Sequence, residues 1–164
     1  MTTQPTVTVH LMRHGEVHNP ERIVYGRLPH YALSEKGQQM VRMSAQEFAQ
    51  RAQDGAKIVH LVCSPLLRTR ESAAPITELL GLEAHADQRV IEADNYFEGE
   101  HVTRQGLLRN RKHWGKLYNP LRPSWGEPYR AQAARMLAVV DRIRADAVAA
   151  DGPGAESVLV SHQL

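Results

Sequence analysis

A histidine able to attack an electrophile stands at position 14, between the permanent cation Arg13 and the small residue Gly15, directly after the apolar run Val7-Thr8-Val9-His10-Leu11-Met12. A neutral imidazole attacks through a ring-nitrogen lone pair, and a guanidinium beside it binds oxyanions through a rigid fork of N–H donors. The same residue types recur farther along. Arg68 follows Cys63-Ser64-Pro65, and Ser161-His162 follows the apolar run Val158-Leu159-Val160. Together they fit phosphoryl chemistry: His14 attacks phosphorus in line, two arginines grip the oxygens, and a second imidazole, protonated, offsets the charge gathering on them. An acid for the departing alkoxide is still needed. Glu92, just after Arg89-Val90-Ile91, is the best-placed carboxylate, with Asp94 and Glu98 nearby as alternatives.

These groups need elements that deliver them to one place. Residues 6–12 read as a first strand and 58–63 as a second, the latter almost uninterrupted Ile, Val and Leu, as in a parallel sheet covered on both faces. Residues 82–91 suggest a weaker strand and 158–160 a last one. Between them, a helix capped by Ser34 is predicted to about Ala52. A second is predicted from Ser64-Pro65 to Leu80, with Ser64 as N-cap and a kink at Pro75, and a third from Tyr129 to Ala150. Residues 13–33 form a long loop punctuated by Gly15, Asn19-Pro20, Gly26 and Pro29. The alternation predicts an α/β layered domain with a mainly parallel sheet flanked by helices. In such a sheet the strand ends carrying Arg13-His14, Ser64 and Ser161-His162 share one edge, where ligands bind.

Leu11-Met12-Arg13-His14-Gly15-Glu16 resembles the signature of the histidine phosphatase (phosphoglycerate mutase-like) superfamily. Cys63-Ser64-Pro65-Leu66-Leu67-Arg68-Thr69-Arg70-Glu71-Ser72-Ala73 resembles its second block, and Ile91-Glu92 with Phe97-Glu98-Gly99 its third. Gly126-Glu127 and Val158-Leu159-Val160-Ser161-His162 resemble the later ones. The blocks occur in family order across residues 11–162. The resemblance implies a phosphoglycerate mutase-like fold in one domain over 1–164, with residues 93–128 as a lid-like insertion and without the family's C-terminal portion. It implies His14 as nucleophile, Glu92 as proton donor, and Arg13, Arg68, Asn19 and His162 as phosphate ligands, with no metal and no other cofactor. The expected activity is a metal-independent phosphomonoesterase acting through a phosphohistidine on a small phosphorylated metabolite. A phosphoglycerate mutase-type phosphotransferase and a truncated, non-catalytic phosphate-binding protein are the alternatives. The early end at Leu164 sets the terminal carboxylate within about 7 Å of His162, so either the natural chain is longer or this form is impaired.

Other readings of the same residues are weaker. His10, His14 and His18 recur every four residues, a metal-binding pattern on a helix, but Gly15, Pro20 and the preceding strand argue against a helix there. Between His101 and Arg122 lie Arg104, Arg109, Arg111, Lys112, Lys116 and Arg122 without an acid, interleaved with His113, Trp114 and Tyr118. Arg109, Arg111 and Lys112 are therefore expected in a substrate lid selecting multiply anionic substrates, the alternative being a solvated basic face. The net charge of +2 is too small to imply a nucleic-acid partner. No apolar stretch approaches a membrane span, and the single Cys63 fits a reducing, cytoplasmic compartment. Oligomeric state is open, a homodimer included.

Overall fold

The computed structural model describes residues 6–101, 103, 111–116, 119 and 124–162. Four strands, β1 (Thr8–Arg13), β2 (Lys57–Cys63), β3 (Ala84–Ala86) and β4 (Ala155–Ser161), form one parallel sheet in the order β1-β4-β2-β3. The helices are α1 (Glu35–Gln53), α2 (Leu67–Leu80) and α3 (Tyr129–Asp151). Single 3-10 turns occupy Gln88–Val90 and Arg111–Lys116.

The last strand in sequence lies between the first and the second. β4 is the most buried strand, and its residues Val158, Leu159 and Val160 are wholly enclosed. Val158 and Val160 face α1 and α2 with Leu61, Cys63, Ala45 and Ile76; Leu159 faces α3 with Val62, Met136, Val139 and Ile143. The doubly covered sheet predicted from the apolar runs is present. An irregularity in the β2–β4 register between Ile58 and His60 adds one residue to β2, so Ile58 and Leu61 reach the same core despite their odd spacing. β1 is different: it pairs only with β4 among the described residues, and Leu11 is 66% exposed.

Two local expectations need correction. Residues 82–91 hold only a three-residue strand, because Asp87 accepts the backbone N–H of Arg89 and folds the chain into the 3-10 turn that ends at Val90. Ser64 does not cap α2, whose N-cap is Leu66 without a side-chain cap bond. Its hydroxyl is turned towards His162 instead, 2.8 Å away. The Ser64 carbonyl accepts from Thr69 Oγ1, which ties the turn to the first coil of the helix. Ser34 does cap α1, accepting from Gly37 N, and Pro75 lies within α2.

Two glycines bring α1 against the loop after β1. A Cβ on Gly15 would lie 2.6 Å from the Gly37 carbonyl oxygen, and one on Gly37 would collide with the Glu16 carbonyl. The glycine of Arg13-His14-Gly15 thus has a packing cause: a helix backbone runs over it.

Candidate active site

All four strands end on one edge of the sheet, as parallel strands must. The β1–β4 register pairs Arg13 with Ser161, so the residues that follow, His14 and His162, emerge side by side. Their ring centroids are 5.3 Å apart, and both are buried. His14 is fixed by its backbone N–H, which donates to Ser161 O at 3.0 Å, and by its ring. Nδ1 lies 2.8 Å from the Gly15 carbonyl. A carbonyl oxygen only accepts, so Nδ1 carries the proton and the lone pair resides on Nε2. Burial, aided by the charges of Arg68 and Arg13, lowers the His14 pKa to about 4. The imidazole is therefore neutral and nucleophilic at pH 7.

Arg68 lies one residue into α2 and is fully buried, which is unusual for a guanidinium. Nη2 donates to the Gly26 carbonyl at 2.6 Å, and the group lies over the Tyr25 ring, 4.9 Å from its centroid. Nε and Nη1 are buried without a hydrogen-bond partner. Two unsatisfied N–H donors on a buried cation are costly unless they receive an anion.

Glu92 completes the group. Its Oε2 is 3.8 Å from Arg68 Nη2 and 3.5 Å from His162 Nδ1, and its Oε1 accepts from Ala93 N at 3.1 Å. Burial outweighs the neighbouring cations and raises the Glu92 pKa, which favours a carboxyl that can donate a proton. His162 is held by Ser64, and burial with the charges of Arg68 and His14 lowers its pKa to about 3. Its Nδ1 is unpartnered beside Glu92.

His14, Glu92 and His162 each offer a ligand atom within 4.8 Å of the others, a donor set that a divalent metal could use. The unsatisfied Arg68 guanidinium beside them favours an anion over a cation in that space.

Residues 9–164 match the histidine phosphatase superfamily, branch 1. The chain belongs to the histidine phosphatase superfamily. As a member it is 45% identical over 157 residues to Rv0525, an uncharacterised protein of Mycobacterium tuberculosis, covering 95% of this chain and 73% of that one. Among solved structures, a mycobacterial glucosyl-3-phosphoglycerate phosphatase bound to inorganic phosphate superposes with TM-score 0.71 at 24% identity, over 93% of this chain and 71% of that one. A phosphoglycerate mutase from Bacillus anthracis superposes with TM-score 0.70 at 20% identity, over 95% of this chain and 74% of that one. The fold is phosphoglycerate mutase-like.

The remaining sequence-derived residues of this histidine phosphatase superfamily member fall in several places. Arg13 is exposed and borders a cavity together with Glu92. Asn19 uses both polar ends on Ile23, donating to its carbonyl and accepting its N–H, and so closes the loop after His14. Arg111 and Lys112 are exposed in the 3-10 turn, Arg111 lying over the Trp114 ring, and neither lines the cavity beside Glu92. Arg109 and the C-terminal Leu164 lie outside the described residues. His10 donates to Glu156 at 2.6 Å on the outer part of β1, away from His14. Among the described residues no helix is long and apolar enough to cross a membrane.

Two positioning roles were not read from the sequence, that of Ser72 and that of Ser161 beside His162. Ser72 accepts the Gly15 N–H at 3.1 Å and donates to the Arg68 carbonyl, joining the loop after His14 to the helix of Arg68. Ser161 donates to the Val90 carbonyl, anchoring the turn that presents Glu92 to the strand that presents His162. Both stood inside recognised blocks, and only their partners were invisible.

Burying two neutral imidazoles makes stability depend on pH. Both folded pKa values lie below the ordinary 6.5, so between pH 6.5 and about 4 the unfolded chain binds protons that the folded chain does not, and stability falls as pH falls. Glu92, with a raised pKa, acts in the opposite sense, one carboxyl against two imidazoles. The net expected loss between pH 7 and pH 5 is about 2–4 kcal/mol. Urea unfolding at the two pH values measures it, and His162→Asn should shrink the difference by about half. Equal midpoints for the parent protein would refute it.

Proposed function

We propose that this protein is a phosphomonoesterase that forms a phosphohistidine on His14 and hydrolyses a small phosphorylated metabolite. The observation that carries the reading is the fully buried Arg68, with two unsatisfied N–H donors beside a histidine whose Nε2 lone pair is free.

In the first step His14 Nε2 attacks phosphorus, forming the N–P bond as the ester P–O bond breaks. The proton on Glu92 passes to the departing alkoxide, giving the free alcohol. Arg68, with Arg13 at the rim, neutralises the equatorial oxygens. His162, neutral in the empty site, gains a reason to take up a proton when the dianion arrives, since an opposite charge favours its charged form. In the second step the Glu92 carboxylate takes a proton from water, the oxygen attacks phosphorus, and the N–P bond breaks to release inorganic phosphate and restore the starting protonation. No step is assigned to a metal.

Rapid quenching of turnover with a 32P-labelled aryl phosphate tests this. The expected result is an acid-labile, base-stable phosphoprotein whose label maps to His14. Label on no residue, or on a serine, would sink the mechanism. Glu92→Gln should slow esters of poorly leaving aliphatic alcohols about 10²–10⁴-fold, while p-nitrophenyl phosphate, whose leaving group needs little protonation, loses much less in the first step. The pH profile follows the same logic. His14 stays neutral down to about pH 4, and Glu92, with its pKa raised by burial, sets the alkaline limb, so kcat/KM falls as pH rises through the Glu92 titration and Glu92→Gln removes that limb.

A further inference from the structure

We propose that the cavity beside Glu92 receives the alcohol half of the substrate and selects an uncharged, hydroxylated ring, such as the sugar of a sugar monophosphate, over a leaving group with an anionic charge of its own. The proposal rests on the phosphomonoesterase reading and adds the substrate class to it.

The cavity has a volume of about 520 Å³, and its lining includes Arg13 and Glu92, the carboxylate that approaches Arg68 and His162. That volume admits a ring-sized group. Its lining also includes Trp125 and Tyr129 together with Asp94, Glu127 and Gln132. Aromatic faces carry negative π density and meet the weakly positive C–H face of a sugar ring, while carboxylate and amide groups exchange hydrogen bonds with its hydroxyls.

The charge pattern decides against a second anion. Among the described lining residues, Arg13 is the one cation. Asp94 is exposed, and no described group pairs with its carboxylate. The start of α3 at Tyr129 would ordinarily attract an anion. Glu127 already sets a carboxylate there, both oxygens bonded to Arg135 at 2.9 Å and one of them 3.6 Å from Arg27. An anionic leaving group would therefore meet Asp94 without a compensating partner. Hydroxyls would meet acceptors that are already in place, and polar sites of that kind discriminate strongly.

The probes are ribose 5-phosphate and glucose 6-phosphate against 3-phosphoglycerate and fructose 1,6-bisphosphate. The expected kcat/KM for the two sugar monophosphates exceeds that of the two multiply anionic esters at least 10-fold, and Asp94→Asn narrows the ratio at least threefold. A ratio of one or below overturns the proposal, as does an unchanged ratio in Asp94→Asn. Binding gives a second readout. The chain has two tryptophans, Trp114 and Trp125, so in Trp114→Phe the indole fluorescence reports the cavity alone. Ribose 5-phosphate should change that signal at lower concentration than 3-phosphoglycerate, and the reverse order overturns the proposal. If no monoester is turned over, the phosphatase reading fails, and the fluorescence order still decides the cavity's preference.

Discussion

Replacing Arg68 with methionine lowers kcat/KM by at least about 10³-fold and makes the ligand-free protein more stable, not less. The activity loss follows from removing two charge-assisted donors from the transition state, each worth about 10²–10³-fold in a dry site. The stability gain follows from what Arg68 costs when no anion is bound. It is fully buried, its Nε and Nη1 have no partners, and its nearest carboxyl, Glu92, has a raised pKa that weakens the pairing. An unbranched apolar side chain of similar length removes that penalty, for a gain of about 1–3 kcal/mol offset in part by the lost bond to Gly26 O. Urea unfolding without phosphate reads the gain. Added inorganic phosphate should stabilise the parent protein and leave Arg68→Met nearly unmoved. A variant less stable than its parent would mean that Tyr25 and Glu92 already satisfy the guanidinium.

His14→Ala is expected to abolish the phosphoenzyme and reduce turnover at least about 10⁴-fold. Binding of inorganic phosphate should persist within several-fold, because Arg68, Arg13 and His162 remain. This split separates nucleophile from ligand. Proportional loss of binding and turnover would make His14 a phosphate ligand, and undiminished phosphoprotein would move the nucleophile elsewhere. His162→Asn gives a contrast, since it leaves Nε2 of His14 free to be labelled but at a reduced rate.

The sequence announced which residues gather better than the contacts that hold them. Arg13-His14-Gly15, Arg68, Glu92 and Ser161-His162 could be read as one constellation because strand ends in a parallel sheet share an edge, and only the pairing order was missing. The order matters: β4 lies between β1 and β2, and the Arg13–Ser161 register sets the two histidines side by side. No local pattern encodes that neighbour choice, which depends on long-range packing of Val158, Leu159 and Val160 between α1, α2 and α3. Ser64 shows the opposite failure. Serine before proline reads locally as a helix cap, and a buried imidazole 2.8 Å away overrides that preference. Arg68 was legible as a member of the cluster by its position in a motif, but its complete burial was not, because a helix-borne arginine ordinarily extends to water.

The central place of β4 also bears on how the protein comes into being. A ribosome delivers the His14 loop and the helix of Arg68 long before residues 155–161 emerge. Until then β1 and β2 have no strand to share, and the carbonyl of Ser161 that holds the His14 backbone does not yet exist. A nascent chain therefore cannot close this sheet in stages from its beginning. The same insertion of β4 that completes the core brings His162 to His14, so the core and the paired-histidine site form together.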